Sequence, residues 1–495
     1  MSIDSKFQGA VTRQRRANYS GWGQRIGAKP VLKNLILISG FFSINAAGPP
    51  GNILFFLGLL YLGSRGAEGT VKALSLLYLA LTANKALVST ANIFFTIGKF
   101  GILFASVAWL FISISRQKKS FMHLPMINAL AAFCIAAFCL AILADRFILI
   151  SAFKLISFSV GALCIFLAIE ALRDRRHNLD IWFLSIAIFI ALAGMASYAL
   201  GIGFNAKTDD PFSDGLFNGS FYHPQTLGPA AALILLWLLG FCLLSSYNRK
   251  WIAFVLIPVL LGFAYLSSSR TSLAAVGMAA IFVTLTAAVS SNQIRKQIGR
   301  GAALLFLPTC LLMSAVVAIE FVQPGRLSAG VVQFIMKRGQ GDGQALRVEQ
   351  ISSSRQPLID MMLANISERP WVGIGFGTST RPGFGSGDSI FESTTTEKGI
   401  LPIAVVEETG IIGATFFAAF LFSVFRYLLR KKNLIGFAGV AALLGINMGE
   451  MNFFAFGGQG GLFWIWVLAL VILGASAHRK GRNNRFQVTR PDEFS

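Results

Sequence analysis

Residues 226–246 read TLGPAAALILLWLLGFCLLSS, and the basic pair Arg249 and Lys250 follows shortly after. The stretch carries no charged side chain and is long enough, as a helix, to cross a hydrocarbon layer of about 30 Å. Short loops rich in Lys and Arg stay on the cytoplasmic side of a membrane. The stretch therefore predicts a membrane-spanning α-helix that begins on the outer side and ends in the cytoplasm.

Similar apolar stretches recur along most of the chain. Of its 495 residues, 55% are hydrophobic and only 13% are charged, which excludes a soluble domain of this size. A β-barrel is excluded too, because it would show short segments of alternating polarity. The sequence predicts an all-α polytopic membrane protein of about 14 (12–14) transmembrane helices. The predicted spans lie near 32–47, 52–64, 72–93, 99–115, 125–144, 149–170, 181–203, 226–246, 251–266, 271–289, 301–320, 410–428, 434–450 and 461–477.

Positive charge is concentrated in both termini and in every second loop between these spans. The net charge of +21 therefore reports orientation and contact with anionic lipids rather than nucleic-acid binding. Both termini are predicted to lie in the cytoplasm. The predicted organisation is a basic N-terminal segment (1–31), the first part of the helical bundle (32–320), a large outer loop (321–409), the last helices (410–477) and a basic tail (478–495).

Arg270 stands on the predicted outer side, where short loops are usually poor in cations. It follows Ser267–Ser269 at the start of an apolar span. Its planar guanidinium matches the oxygens of a phosphate, and the small hydroxylic neighbours leave room for a ligand. The pattern favours an anion-binding residue, and an arginine that reaches to lipid headgroups remains the alternative.

Arg355 is a second cation in the large outer loop. The serines before it and Pro357 after it predict the start of a short amphipathic helix that runs to about Ser367. Arg355 then lies at the beginning of that helix, where free N–H groups also favour an anion. The alternative is an ion pair with Asp360 or Glu368. Two outer cations together predict an anionic, lipid-linked substrate.

Carboxylates and one histidine complete the candidate site. Glu397 is the candidate general base if it lies in a partly dry cleft, and a solvated loop carboxylate if it does not. Glu407 and Glu408 are interpreted as supports that neutralise an arginine. His223, just before a span, either touches substrate or caps the local backbone. No cluster of side chains has metal-ligand spacing, so no metal ion or cofactor is predicted.

The order of these motifs resembles the bacterial O-antigen ligase and O-antigen polymerase superfamily over roughly residues 200 to 450. The first motif, GSFYHPQTLG, occupies 219–228, and Ser269-Arg270 follows it. Arg355 comes next, before RPWVGIG at 369–375 and ETGIIG at 408–413. Each motif is weak alone, whereas the ordered set with a large outer loop is moderately specific.

The resemblance implies a glycosyltransferase of GT-C-type architecture in the bacterial inner membrane, with an active site facing the periplasm. Its donor would be an oligosaccharide on undecaprenyl diphosphate. Arg270 and Arg355 match the arginines that hold the diphosphate and stabilise it as it leaves. Family ligases carry a histidine late in the loop, where this chain has Glu397 and Lys398, so Glu397 is assigned as the base. The residues assigned to substrate binding are His223, Gln225, Arg347, Lys398 and Glu408.

The chemistry expected is an inverting, metal-independent transfer, and the departure from the histidine pattern favours a polymerase of exopolysaccharide or O-antigen repeats. An O-antigen ligase that joins glycan to lipid A-core is the alternative within the family. A flippase or other transporter and a non-catalytic scaffold of an envelope assembly complex are the alternatives outside it. The partners expected are the lipid-linked oligosaccharide, a glycan or lipid A-core acceptor, membrane lipids and a polysaccharide assembly or export complex, without nucleic acid.

Overall fold

A computed structural model describes residues 28–84, 93–117, 125–144, 148–172, 179–204, 215–244, 251–290, 356–378, 398, 400–449 and 451–488. Over these residues the structure is helical, with two isolated β-bridges and no strand. The helices are α1 (Ala28–Ala46), α2 (Pro49–Ser64), α3 (Ala67–Thr82), α4 (Ile93–Ser115), α5 (Pro125–Ala144), α6 (Ile148–Leu172), α7 (Leu179–Ala199), α8 (Pro224–Leu244), α9 (Trp251–Leu266), α10 (Arg270–Ser290), α11 (Gln356–Glu368), α12 (Leu401–Arg430), α13 (Leu434–Ile446) and α14 (Gln459–Val488).

Seven of these helices are long and apolar enough to cross a membrane, namely α4 to α8, α12 and α14. Shorter apolar helices are α9, residues 270–282 of α10, and α13. The prediction of an α-helical, multi-pass membrane protein is therefore confirmed. Every predicted span overlaps a described helix except 301–320, which lies outside the described residues.

Several predicted boundaries differ from the structure by five or more residues, and two of them bear on the motifs. The span predicted to reach residue 93 ends at Thr82, because Ala83 is extended and forms a β-bridge with Phe221. The span predicted to begin at 410 is preceded by helical residues from Leu401, which had been assigned to the large loop. Hydropathy underestimates this helix because its first turns carry Glu407 and Glu408.

Helices α8 and α14 form the centre of the bundle. Most of their side chains are buried, and the indole rings of Trp237 and Trp466 meet with centroids 5.9 Å apart. By contrast, α4 and α5 lie at the periphery, where large apolar side chains such as Ile97 and Ile135 are exposed. In a membrane, exposed apolar residues on such helices contact lipid tails. The peripheral helices therefore present an apolar outer surface.

The connections that carry the sequence motifs meet at one end of the bundle, which we call the motif end. It comprises residues 83–84, 200–204, 215–223, 267–269, 369–378, 398, 400, 447–449 and 451–458. Hydrogen bonds join these connections, for example Asn84 N to Ser220 O at 2.8 Å and Met451 N to Lys398 O at 3.1 Å. Residues far apart in sequence are thereby brought to one face of the molecule.

At the opposite end, Asn433 joins two helices. Its side-chain oxygen accepts from Gly436 N at 2.9 Å and caps α13, while its amide donates to Val471 O of α14 at 2.7 Å. Because Asn433 is buried, Asn433→Ala is expected to destabilise the protein by about 1–3 kcal/mol. Thermal unfolding in detergent measures the loss. Lys431→Ala, at an exposed neighbouring position, should leave the midpoint nearly unchanged, and equal effects of both variants would contradict the assigned cap.

Candidate functional site

The His223 motif is held against the bundle by three elements. Tyr222 N donates to Thr82 O of α3 at 3.1 Å, and the Tyr222 hydroxyl accepts from the side-chain amide of Gln459 at the start of α14. Pro224 then begins α8, as expected for proline in the first turn of a helix. These contacts place His223 at the motif end, between α3 and α14.

The structure shows the contact with the local backbone that was one of the two roles considered for His223. Its Nδ1 accepts from Gln225 N at 3.2 Å, so the imidazole caps the first turn of α8. Gln225 presents a different signal, because its side-chain oxygen is buried and finds no hydrogen-bond partner among the described residues. A buried acceptor without a partner is costly, so a donor from a ligand would stabilise it.

Arg270 is the first residue of α10 and is half-buried. Ser268, two residues earlier, has a φ of 54°, which is uncommon for a serine and marks a strained turn. A Cβ on Gly228 would lie 2.1 Å from Ser269 Cβ, so only glycine allows α8 to approach this turn. The two motifs predicted to act together, around His223 and around Arg270, therefore belong to helices that touch.

The turn at Arg270 also contacts the connection after α13. A Cβ on Gly449 would lie 2.4 Å from Thr271 Oγ1. Two residues further on, Met451 N donates to Lys398 O, and Asn447 O accepts from Leu401 N at 3.0 Å. Residues 447–449 and 451 thus lie between the start of α10 and the end of the large loop.

Lys398 is the centre of a buried ion-pair cluster. Its Nζ lies 2.8 Å from Glu407 Oε2 and 3.0 Å from Glu408 Oε1, and the three side chains are 4%, 0% and 3% exposed. Asn365 of α11 donates to Glu407 Oε1 at 2.7 Å, and Gly377 N donates to Glu408 Oε2 at 2.7 Å. The two carboxylates pair with a lysine instead of the arginine that the sequence led us to expect.

The cluster lies beside a break in α12. Gly410 has a φ of 63°, and a Cβ there would lie 2.2 Å from the carbonyl of Trp371. The RPWVGIG motif binds the backbone polar groups around the break: Ile374 N donates to Glu407 O at 2.9 Å, Gly375 N to Glu408 O at 3.0 Å, and Ile411 N to Pro370 O at 2.8 Å. The motif at 369–375 therefore holds the two parts of the broken helix through backbone hydrogen bonds.

Three candidate residues, Arg347, Arg355 and Glu397, lie outside the described residues, as do positions 205–214. The described residues that follow Arg355 and Glu397 in the sequence have defined positions. The helix predicted after Arg355 is present as α11, and it packs on α12 through Asn365. Lys398 follows Glu397 directly, so the ion-pair cluster anchors the chain next to the candidate base. Arg369 donates to Ala144 O at 2.6 Å, which ties the end of α11 to α5.

Two lysines at the motif end were missed by the sequence analysis. Lys99 lies in α4 and Lys154 in α6, and both are half-buried within membrane-spanning helices. Lys154 Nζ donates to Gly377 O and lies within electrostatic range of Glu408. The available signal was a lysine inside an apolar run, which is rare and often functional in membrane helices.

The comparisons with known proteins do not bear on the family resemblance. No protein-family model matches the chain, and no curated protein matches it at a significant level.

Proposed function

We propose that this chain is a glycosyltransferase of the bacterial inner membrane that polymerises glycan repeats from an undecaprenyl diphosphate-linked donor. The motif end would face the periplasm, and about 14 spans would surround it. The observation that carries the proposal is the contact between the start of α8, with His223 and Gln225, and the serine turn that precedes Arg270. Their sequences are also the first two motifs of the family resemblance.

The proposed glycosyl transfer requires few protein side chains. An acceptor hydroxyl attacks the anomeric carbon of the donor sugar, a new C–O bond forms, and the bond to the diphosphate oxygen breaks with inversion. Negative charge then develops on the leaving diphosphate, where a fixed cation such as Arg270 stabilises it. Glu397 takes the hydroxyl proton in this proposal. The partner-free oxygen of Gln225 is suited to accept a hydrogen bond from a sugar hydroxyl.

The buried cluster explains how the large loop would be held for this reaction. Lys398 and Glu408 neutralise one another, so they position the loop end and do not contribute a free charge to the substrate. The proposal therefore gives them a positioning role in place of the direct substrate contact that the resemblance implies. Arg355 would supply the second cation from the start of α11.

A transporter remains the competing function, and the lysines inside α4 and α6 bear on it. Transport predicts charged residues deep within several spans. Lys99 and Lys154 each lie six residues after the start of their helix, or about 9 Å from the motif end at 1.5 Å per residue. This position near one face favours a site at the membrane surface over a pathway through the membrane.

Deletion of the gene tests the proposal through the surface glycans. For a polymerase, long chains disappear while a single repeat unit is still attached to its acceptor. For a ligase, long chains accumulate on the carrier lipid, and for a flippase, lipid-linked repeats accumulate on the cytoplasmic side. Unchanged surface glycan and unchanged carrier-lipid pools would contradict the proposal.

A further inference from the structure

Lys99 is a cation whose described surroundings contain no anion. It lies inside the membrane-spanning helix α4 and is half-buried, with Nζ 4.8 Å from the ring centroid of Phe100. No described residue forms a hydrogen bond or ion pair with its ammonium group. A lysine in an apolar span is costly unless it meets a partner, so this position requires an explanation.

A second unpartnered polar group lies next to Lys99. Ser157 of α6 is 6% exposed, and its hydroxyl has no hydrogen-bond partner among the described residues. A Cβ placed on Gly457 would lie 3.5 Å from Lys99 Nζ and 3.6 Å from Ser157 Oγ. The ammonium and the hydroxyl therefore face the same point, which the absence of a side chain at Gly457 leaves open.

The open space beside Gly457 extends to the next residue, Gly458. A Cβ on Gly458 would have no neighbour within 4 Å among the described atoms, so two consecutive glycines leave room beside the lysine. Gln459 follows and binds the Tyr222 hydroxyl, which places the opening next to the His223 motif. Lys154 of α6 is a further cation, and it donates to Gly377 O and lies within electrostatic range of Glu408, so it does not cancel the charge of Lys99.

The membrane side of α4 indicates how a ligand would arrive. Phe94, Ile97 and Phe104 are each more than half exposed on this helix, as expected for a surface in contact with lipid. An ammonium and a hydroxyl that both donate hydrogen bonds match phosphate oxygens, which only accept them. A ligand that combines a phosphate with apolar chains fits both features.

We propose that Lys99, Ser157 and the opening at Gly457 form a binding site for the phosphate group of a lipid. The site is built by α4, α6 and the connection before α14, whereas Arg270 begins α10, and its neighbours Ser269 and Thr271 approach α8 and the connection after α13. The inference therefore does not depend on the proposed glycosyltransfer. A bilayer phospholipid and a polyprenyl phosphate present the same chemistry, and the experiment separates them.

The test uses the full-length protein in detergent and measures binding of phosphatidylglycerol, undecaprenyl phosphate and inorganic pyrophosphate. Lys99→Gln removes the charge, and Gly457→Ala fills the opening with an atom at ordinary contact distance, so that the fold is kept. Either variant should weaken binding of the phosphate lipids about tenfold or more, the usual loss for a charged hydrogen bond. Lys33→Gln removes the same charge from an exposed site on α1 and should change binding less than about twofold.

The outcomes distinguish the two classes of lipid and can also overturn the proposal. Loss of phosphatidylglycerol and undecaprenyl phosphate binding together assigns the site to phospholipid headgroups in general. Selective loss of undecaprenyl phosphate binding, with competition by pyrophosphate, assigns it to a polyprenyl carrier. Wild-type affinity of Gly457→Ala for all three probes would overturn the proposal, even if Lys99→Gln failed to fold. Retained surface glycan together with lost lipid binding would separate this site from the proposed reaction.

Discussion

Arg270→Ala is expected to abolish glycan extension while the protein is still inserted and folded. The side chain stands at the start of α10, beside the serine turn that touches α8, so its removal leaves the helix contacts in place. Removal of one positioned donor to a developing charge typically lowers turnover by about 100- to 1,000-fold. The measurement is the length distribution of surface glycan in a deletion strain complemented with the variant, together with the pool of lipid-linked repeats, which should rise.

Three further variants serve as comparisons for the Arg270→Ala result. Arg270→Lys keeps the charge but loses the planar fork, so it should retain partial activity. Arg65→Ala removes an exposed arginine from the opposite end of the bundle and should leave glycan length unchanged. Arg355→Ala should match Arg270→Ala if both hold the donor. Wild-type glycan in Arg270→Ala at normal expression would rule out a role for this arginine in the reaction.

Lys398→Met is expected to destabilise the protein severely. The substitution leaves Glu407 and Glu408 buried without their cation, at 0% and 3% exposure. Removal of one partner from a buried ion pair typically costs about 3–5 kcal/mol, because the remaining charge is desolvated and uncompensated. Thermal unfolding in detergent measures the loss, and limited proteolysis near residue 398 reports release of the loop end.

The matched control restores neutrality. The triple variant Lys398→Met, Glu407→Gln and Glu408→Gln removes all three charges, so most of the stability should return. If the triple variant regains stability but not glycan extension, the cluster positions the loop for the reaction. Equal stability of Lys398→Met and the native protein would show that the two carboxylates are not buried as the structure places them.

The spans were predictable because hydropathy sums over neighbouring residues and needs no knowledge of the fold. The start of α8 at Pro224 and the short helix after Arg355 followed from local rules of the same kind. The early end of α3 did not, because Ala83 leaves the helix to pair with Phe221, more than a hundred residues away. The early start of α12 was hidden by its two glutamates, whose pairing with Lys398 becomes visible only in the structure.

The candidate site was predictable only in part. Sequence pattern selected His223 and Arg270, and the structure brings the helices that carry them into contact at Gly228. Lys398 and Glu408 were selected from the family resemblance, and their pairing in a buried cluster could not be read from the sequence. Lys99 was overlooked, since its significance depends on Ser157 and Gly457, which follow it by dozens and hundreds of residues.

Composition and local order along this chain determined that it is helical, that it crosses a membrane several times and which connections carry its motifs. These properties depend on each segment alone, through transfer of apolar side chains out of water and through helix capping. Only the tertiary structure decided which charged side chains pair with an opposite charge and which have no such partner among the described residues. Electrostatic partners are chosen by distances across the bundle, so Lys398 became part of the scaffold while Lys99 was left facing an opening.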